Sequence, residues 1–293
     1  MKLQKGLKIN LKRAVRLGGH TTFKIGGPAD YFACPGDRNE LKILIKTAKR
    51  YKIPILVIGA GSNILADDRR VRALVIRLNT SSFKKITIKN SSLYSGSGAM
   101  LSQLISVSQK HRLSGLENLA GIPGTVGGAL AMNAGAWGRD IADVTSEVEV
   151  MDYGGKIKFL KKAAIKFGYR KSGLGKYIIL GTRFNLTKGN PREIKNRIRL
   201  YIKRRRGAQD LTHPSAGCIF KNPAGESAGK LIDECGLKGR RAGGAAISDK
   251  HANFIININN ALAGDVLKLM ALVKREVSRK FNINLKPEIK IWN

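Results

Sequence analysis

Apolar positions recur along this chain with two periods, and the switching between them outlines its elements. Leu41, Leu44, Ile45 and Ala48 share one face at helical spacing, so a helix is expected over 38–51, with Asp37 placed to cap it. Ile53-Pro-Ile-Leu-Val-Ile58 is mostly β-branched and reads as a buried strand over 53–59, with a second over 71–78. Short alternating segments at 84–89 and 92–97 precede a helix around 100–111. Val144-Thr-Ser-Glu-Val-Glu-Val-Met151 alternates as a half-buried strand, Gly154-Gly155 marks a hairpin turn, and 177–184 reads as another strand. Ile194, Ile198 and Ile202 return every fourth residue, which describes an amphipathic helix over 191–206. Beyond it, Ser227 precedes a helix ending near 235, and 252–258 is a strand. Val266, Met270, Val273 and Val277 stripe a helix over about 263–280, and a final strand falls at 288–292. The class is α+β, with the strongest boundary near 187–191.

Glycine breaks this pattern twice. Gly115 to Gly135 holds six glycines in 21 residues, among them Gly121-Ile122-Pro123-Gly124-Thr125-Val126-Gly127-Gly128. Such a run lets main-chain N–H groups approach an anion, and Gly121, Gly124, Gly127 and Gly128 tolerate positive φ. Spacing alone leaves a buried packing turn equally open. The second cluster, Gly59-Ala60-Gly61-Ser62-Asn63, ends the strand over 53–59. Neither is a P-loop or a GxGxxG dinucleotide fingerprint. Two such loops suggest a large diphosphate cofactor held across two small subdomains.

Composition narrows the classes. The 293 residues are enough for two or three compact units, and 43% hydrophobic with 25% charged residues is ordinary for a soluble globular chain. No apolar run approaches the roughly 20 residues of a membrane span. The first ten residues are basic but lack a signal peptide's apolar centre. Cys34, Cys218 and Cys235 are odd in number, and the four histidines lack metal-ligand spacing, so neither a disulfide framework nor a metal is expected. A cytoplasmic monomer without membrane insertion is the expectation. The net charge of +34 invites a nucleic-acid reading, yet the cations are spread along the chain. The densest run, 191–206, reads better as a solvated helix face, and no recognition motif accompanies it. No specific nucleic-acid partner is expected; the charge favours a polyanionic small substrate.

Five motifs stand in order: Gly59-Ala-Gly-Ser-Asn63, Gly121-Ile-Pro-Gly-Thr-Val-Gly-Gly-Ala129, Phe167-Gly-Tyr-Arg-Lys-Ser172, Ser215-Ala-Gly-Cys-Ile-Phe-Lys-Asn-Pro223 and Pro287-Glu-Ile-Lys290. With Thr21-Thr-Phe-Lys-Ile-Gly-Gly-Pro-Ala-Asp30, this set resembles the UDP-N-acetylenolpyruvoylglucosamine reductase (UDP-N-acetylmuramate dehydrogenase) family over nearly the whole chain. The short 191–212 connection resembles the form lacking an extra tyrosine-bearing loop. The resemblance implies the two-subdomain FAD-binding fold of the vanillyl-alcohol oxidase and p-cresol methylhydroxylase type, plus a C-terminal α+β substrate domain. The corresponding domains would be 16–187, with subdomains near 16–80 and 81–187, and 191–293. It implies NADPH-dependent reduction of UDP-N-acetylenolpyruvoylglucosamine to UDP-N-acetylmuramate through FAD, in peptidoglycan precursor synthesis. No cysteine or histidine lies within either glycine loop, so the FAD would be noncovalent.

By resemblance, Gly59, Ala60, Gly61, Ser62, Asn63, Gly121, Ile122, Pro123, Gly124, Val126 and Gly127 bind the cofactor. Arg170 and Glu288 would stabilise charge on the reduced enolpyruvyl group, a role that suits a planar, always-charged guanidinium. Cys218 stands where the family usually places a serine as proton donor. A thiol with a reference pKa near 8.5 is mostly protonated at neutral pH and is the stronger acid of the two. Lys221, Asn222, Arg241 and Lys290 would contact the substrate, Lys290 standing where relatives often carry arginine. Two other readings stay open: an oxidase on the same flavin fold, and a nucleic-acid-binding protein that keeps only the fold.

Overall fold

The structure is a computed structural model that describes residues 11–293; the basic segment 1–10 lies outside the described residues. Helices are α1 (Arg38–Arg50), α2 (Ser81–Lys84), α3 (Leu101–Lys110), α4 (Val126–Met132), α5 (Pro191–Ala208), α6 (Ala228–Glu234) and α7 (Ala263–Phe281). The chain divides into two units, each discontinuous in sequence where the pattern suggested contiguous domains. The first comprises 11–13, Tyr31–Ala60 and Ala73–Arg204; the second comprises Ala14–Asp30, Gly61–Arg72 and Arg205–Asn293.

The first unit is organised by an antiparallel sheet in the order Ile157–Lys161, Thr145–Asp152, Tyr177–Asn185, Ser92–Gly96, Ile86–Lys89. Side chains alternate across a strand, so the sheet has two apolar faces. Val148, Val150, Ile179 and Phe184 pack with Leu101, Leu104 and Ile105 of α3 and with Val126 and Leu130 of α4. Met151, Ile178 and Leu180 pack with the expected α1 face of Leu41, Leu44, Ile45 and Ala48. Asp37 caps α1 as expected, its side chain accepting from the N–H groups of Asn39 and Glu40. Ile55–Ile58 runs parallel to Val71–Arg77, bringing the chain to Gly59.

The second unit is built on an antiparallel sheet in the order Ser215–Cys218, Phe254–Asn257, Ala245–Ile247, Arg241–Ala242. The apolar stripe of α7 covers it through Val266, Leu269, Met270, Val273 and Val277, with Leu231 and Ile232 of α6 in the same core. Lys290–Trp292 pairs in parallel with Ile64–Ala66.

Helix α5 departs from a purely solvated face. Ile194 is buried and Ile198 and Ile202 pack on the core, as their spacing requires. Arg197, however, reaches Glu117 of the glycine-rich segment at 2.8 Å and also donates to Ser114 Oγ at 3.1 Å. Burial pushes the Glu117 carboxyl up, but the Arg197 bond and the N–H groups of Glu117 and Gly115 outweigh it and leave its pKa lowered. A lowered folded pKa stabilises the fold above the unfolded value and loses that contribution as pH falls through the folded one. Arg197→Ala should therefore cost about 2 kcal/mol at pH 7 by stranding a buried carboxylate. The deficit should shrink as Glu117 protonates in acid. Urea denaturation of both proteins at pH 7 and near pH 4 checks this; a deficit independent of pH would assign the loss to packing alone.

Candidate active site

In the first unit, Thr125 caps α4, its Oγ1 accepting from the Gly128 N–H at 3.3 Å. A side chain on Gly59 would run into that Oγ1, and a Cβ on Gly127 would come within 2.8 Å of Ser97 Cβ. Val126 N–H donates to Ala99 O at 2.9 Å and Gly127 N–H to Ser97 O at 2.8 Å. Ile122 N–H is likewise taken by Leu119 O at 3.1 Å. Within the glycine run expected to offer N–H groups to an anion, the amides of Val126, Gly127 and Gly128 are thus used to fasten the start of α4, and that of Ile122 closes a turn on Leu119. Of Gly121, Gly124, Gly127 and Gly128, Gly121 alone adopts a positive φ, +79°. The glycines at 127 and 59 serve close approach rather than a reversed backbone.

This close approach leaves a cavity of about 290 Å³. Gly59 and Gly127 form part of its wall with Ser97, Gly98 and Thr125, and Arg77 and Lys84 add positive charge. Ser97 is 4% exposed, and its Oγ has no hydrogen-bond partner among the described residues. A buried hydroxyl left so costs about 1–3 kcal/mol, which a polar ligand group would relieve. A glycine-walled recess with two cations and an orphaned hydroxyl fits a diphosphate-bearing cofactor. Ala60, Gly121, Ile122, Pro123, Gly124 and Val126 adjoin these segments in sequence without lining the cavity. Ser97 and Gly98 were missed in the sequence, although Gly96-Ser-Gly98 after an alternating strand is a third glycine cluster.

Arg170 belongs to the same unit. It sits at φ +51°, its guanidinium 5.1 Å from the Tyr169 ring centroid and 4.0 Å from Asp140 Oδ1. The segment carrying it is fastened to α4: Ser172 Oγ donates to Ala131 O at 2.9 Å, and Asn133 Nδ2 donates to Gly168 O at 3.1 Å.

Cys218, Glu288 and Asn63 are held together in the second unit. Cys218 ends the strand Ser215–Cys218 and is half-buried. The Glu288 N–H donates to Ile219 O at 2.8 Å, and Phe220 bridges to Pro287. Asn63 Nδ2 donates to Glu288 O at 3.3 Å, while Asn63 O accepts from the Lys290 N–H at 2.9 Å. Buried Asn253 brackets the adjoining backbone, accepting from Phe220 N–H at 2.9 Å and donating to Phe220 O at 2.8 Å. Thr22 donates through N–H to Gly61 O at 3.2 Å and through Oγ1 to Ser215 O at 2.7 Å, locating the turn that carries Ser62.

The expected substrate contacts separate. Lys221 N–H donates to Lys286 O at 2.9 Å, and Asn222 Oδ1 accepts from the Ala228 N–H at 3.0 Å at the start of α6. Lys290 is exposed. Arg241 is exposed on Arg241–Ala242, at the opposite sheet edge from Ser215–Cys218. No metal-binding group of His, Cys, Asp and Glu occurs among the described residues, and no helix among them is long and apolar enough to cross a membrane.

Residues 209–292 match a family model described as the C-terminal domain of UDP-N-acetylenolpyruvoylglucosamine reductase, and 29–161 match one described as an FAD binding domain. A UDP-N-acetylenolpyruvoylglucosamine reductase of Caldanaerobacter subterraneus subsp. tengcongensis is 44% identical over 93% of this chain and 90% of its own. One from Moorella thermoacetica is 41% identical over 99% of this chain and 96% of its own. The crystal structure of UDP-N-acetylenolpyruvylglucosamine reductase from Thermus caldophilus superposes with a TM-score of 0.84 at 38% identity, covering 97% of this chain and 100% of that one.

Ser97→Ala tests the cavity. Removing an unsatisfied hydroxyl should stabilise the flavin-free protein by up to about 1 kcal/mol in urea. FAD should bind roughly fivefold to tenfold more weakly in fluorescence titration, matching the loss of one hydrogen bond. Unchanged FAD affinity would remove Ser97 from the ligand's contacts.

Proposed function

The chain belongs to the UDP-N-acetylenolpyruvoylglucosamine reductase family, and we propose that it reduces UDP-N-acetylenolpyruvoylglucosamine to UDP-N-acetylmuramate with NADPH, using noncovalently held FAD. As a family member it is an oxidoreductase with an FAD-binding domain serving peptidoglycan synthesis. In this reading residues 16–187 hold the cofactor and 191–293 the UDP-sugar. FAD, when bound, supplies two-electron chemistry between NADPH and the enolpyruvyl double bond.

The protein's own groups bind, orient and move the proton. Gly59, Ser97, Gly98 and Gly127 admit the cofactor's diphosphate close to the backbone, with Arg77 and Lys84 offsetting its charge. The Gly59–Asn63 turn and the Gly121–Gly127 loop frame it. Lys221, Asn222, Arg241 and Lys290 serve the UDP-sugar. The Arg170 guanidinium holds the substrate carboxylate, where negative charge grows as hydride adds to the neighbouring methylene carbon. Glu288 acts on the same enol-like group. Cys218 then protonates the carbon bearing the carboxylate: its S–H bond breaks, a C–H bond forms, and solvent reprotonates the thiolate. The observation that supports this reading is the bond of the Glu288 N–H to Ile219 O, which joins the backbone segments carrying Glu288 and Cys218.

Anaerobic stopped-flow measurement of the two half-reactions tests it. Cys218→Ala should leave flavin reduction by NADPH nearly intact. Reoxidation by UDP-N-acetylenolpyruvoylglucosamine should slow by roughly 10²–10⁴-fold, the usual loss on removing a positioned general acid. Cys218→Ser should recover much of it. Wild-type reoxidation in the Ala variant would make Cys218 a packing residue.

A further inference from the structure

Arginine is the longest side chain in the site and loses about 2 kcal/mol of rotamer freedom when fixed, so its placement needs a device. The fold supplies one on the hairpin that follows α4. We infer that Asp140 is a positioning residue for Arg170, holding its guanidinium through a carboxylate that Asn133 locks in place. This inference rests on the assignment of Arg170 to the substrate carboxylate.

Four observations carry it. Asp140 Oδ1 lies 4.0 Å from Arg170 Nη1, within ion-pair reach. The other carboxylate oxygen, Oδ2, accepts from Asn133 Nδ2 at 3.0 Å. Asn133 is 3% exposed, terminates α4 at φ +45°, and donates from the same nitrogen to Gly168 O at 3.1 Å. Gly135, opposite Asp140 in the hairpin, has no side chain, and a Cβ there would overlap Asp140 Oδ1. The carboxylate is therefore seated by the hairpin and by the end of α4, and its remaining reach is toward Arg170. Burial pushes the Asp140 carboxyl above its ordinary pKa and Asp143 adds to this, while Arg170 and the Asn133 bond pull the other way. Asp143 is itself turned to the Asp140 N–H at 3.0 Å and lies 4.0 Å from Arg139.

Asp140→Asn keeps the shape and loses the charge; Asp140→Glu keeps the charge. In the FAD-loaded enzyme, Asp140→Asn should leave the melting temperature unchanged and FAD content and flavin reduction by NADPH within about twofold of wild type. Its turnover with the UDP-sugar should fall about tenfold to a hundredfold, as for a misplaced catalytic group, with a smaller change in KM. Asp140→Glu should recover most of the loss. In an Arg170→Lys background, Asp140→Asn should add less than about twofold, since the two act as a unit. Equal losses in both half-reactions, or independent multiplication of the two losses, would overturn the inference while leaving the Arg170 assignment standing. An Arg170→Lys variant with normal substrate reduction would instead overturn that assignment, and this inference with it. An independent readout is the carboxyl ¹³C titration of Asp140 in flavin-free protein. Arg170→Gln should raise its pKa, and an unmoved titration would overturn the contact even where Asp140→Asn fails to fold.

Discussion

The first unit's site depends on two stretches of backbone meeting where no side chain fits. Gly127 hydrogen-bonds Ser97 O at 2.8 Å, and a Cβ at 127 would sit 2.8 Å from Ser97 Cβ. The same junction fixes Val126 on Ala99 and places the Thr125 cap against Gly59. Helix α4 is only seven residues long and contains two glycines, so intrinsic propensity would not maintain it. Its start is maintained by these tertiary bonds, and the cavity wall is their by-product. Once the start is fixed, the end is fixed too: Ala131 O accepts from Ser172, and Asn133 donates to both Asp140 and Gly168 O. One short helix therefore relates the glycine-walled recess to the turn bearing Arg170.

The second unit reaches a comparable result by different means. There Cys218 ends one strand and Glu288 stands just before another, and side-chain amides do the fastening. Asn63 joins the glycine turn to Glu288, and Asn253 holds Phe220 by both its N–H and its carbonyl. An amide that is buried must satisfy both its donor and its acceptor, so it specifies one register between segments far apart in sequence. The link from Asn63 to Glu288 spans 225 positions. Glycine in the first unit and asparagine in the second both order the backbone with little side-chain volume.

The sequence was most legible where a repeat could be counted. The faces of α1, α5 and α7 are the expected ones, because burial on one side of a helix writes a 3.6-residue period directly. Helix α4 was read as loop, since Gly127 and Gly128 erase any period and its stabilising partners lie at 97–99. The strands Ile64–Ala66, Ser215–Cys218, Arg241–Ala242 and Ala245–Ile247 are too short to alternate, and they gain their order from partners elsewhere in the chain. Motifs located Gly59, Gly127, Arg170, Cys218 and Glu288 as residues of interest, but not the means by which each is held. Ser97 and Asp140 were invisible for a stricter reason: an unsatisfied hydroxyl and a carboxylate 30 positions from its arginine are properties of the folded chain.

The uneven charge balance also takes on a physical shape. Against 54 lysines and arginines stand 20 acidic residues, and several of those are committed to internal structure. Glu149 is buried, paired with Arg38 at 2.7 Å and bonded by Tyr94 at 2.8 Å; burial and that carboxylate push the tyrosine pKa up to about 12. Glu117 is claimed by Arg197, and Asp210 is held by Thr212 and His213. These pairs leave the net charge of +34 unchanged, so an excess of cations faces solvent. The proposed substrates, a UDP-sugar and a nicotinamide dinucleotide phosphate, are both polyanions, and a positive field would raise their local concentration and speed encounter. That enhancement is screened over about 8 Å at physiological ionic strength. The pairs whose carboxylates are shielded are screened less, which separates two uses of charge in this chain: pairs that hold elements in register, and a surface excess of cations.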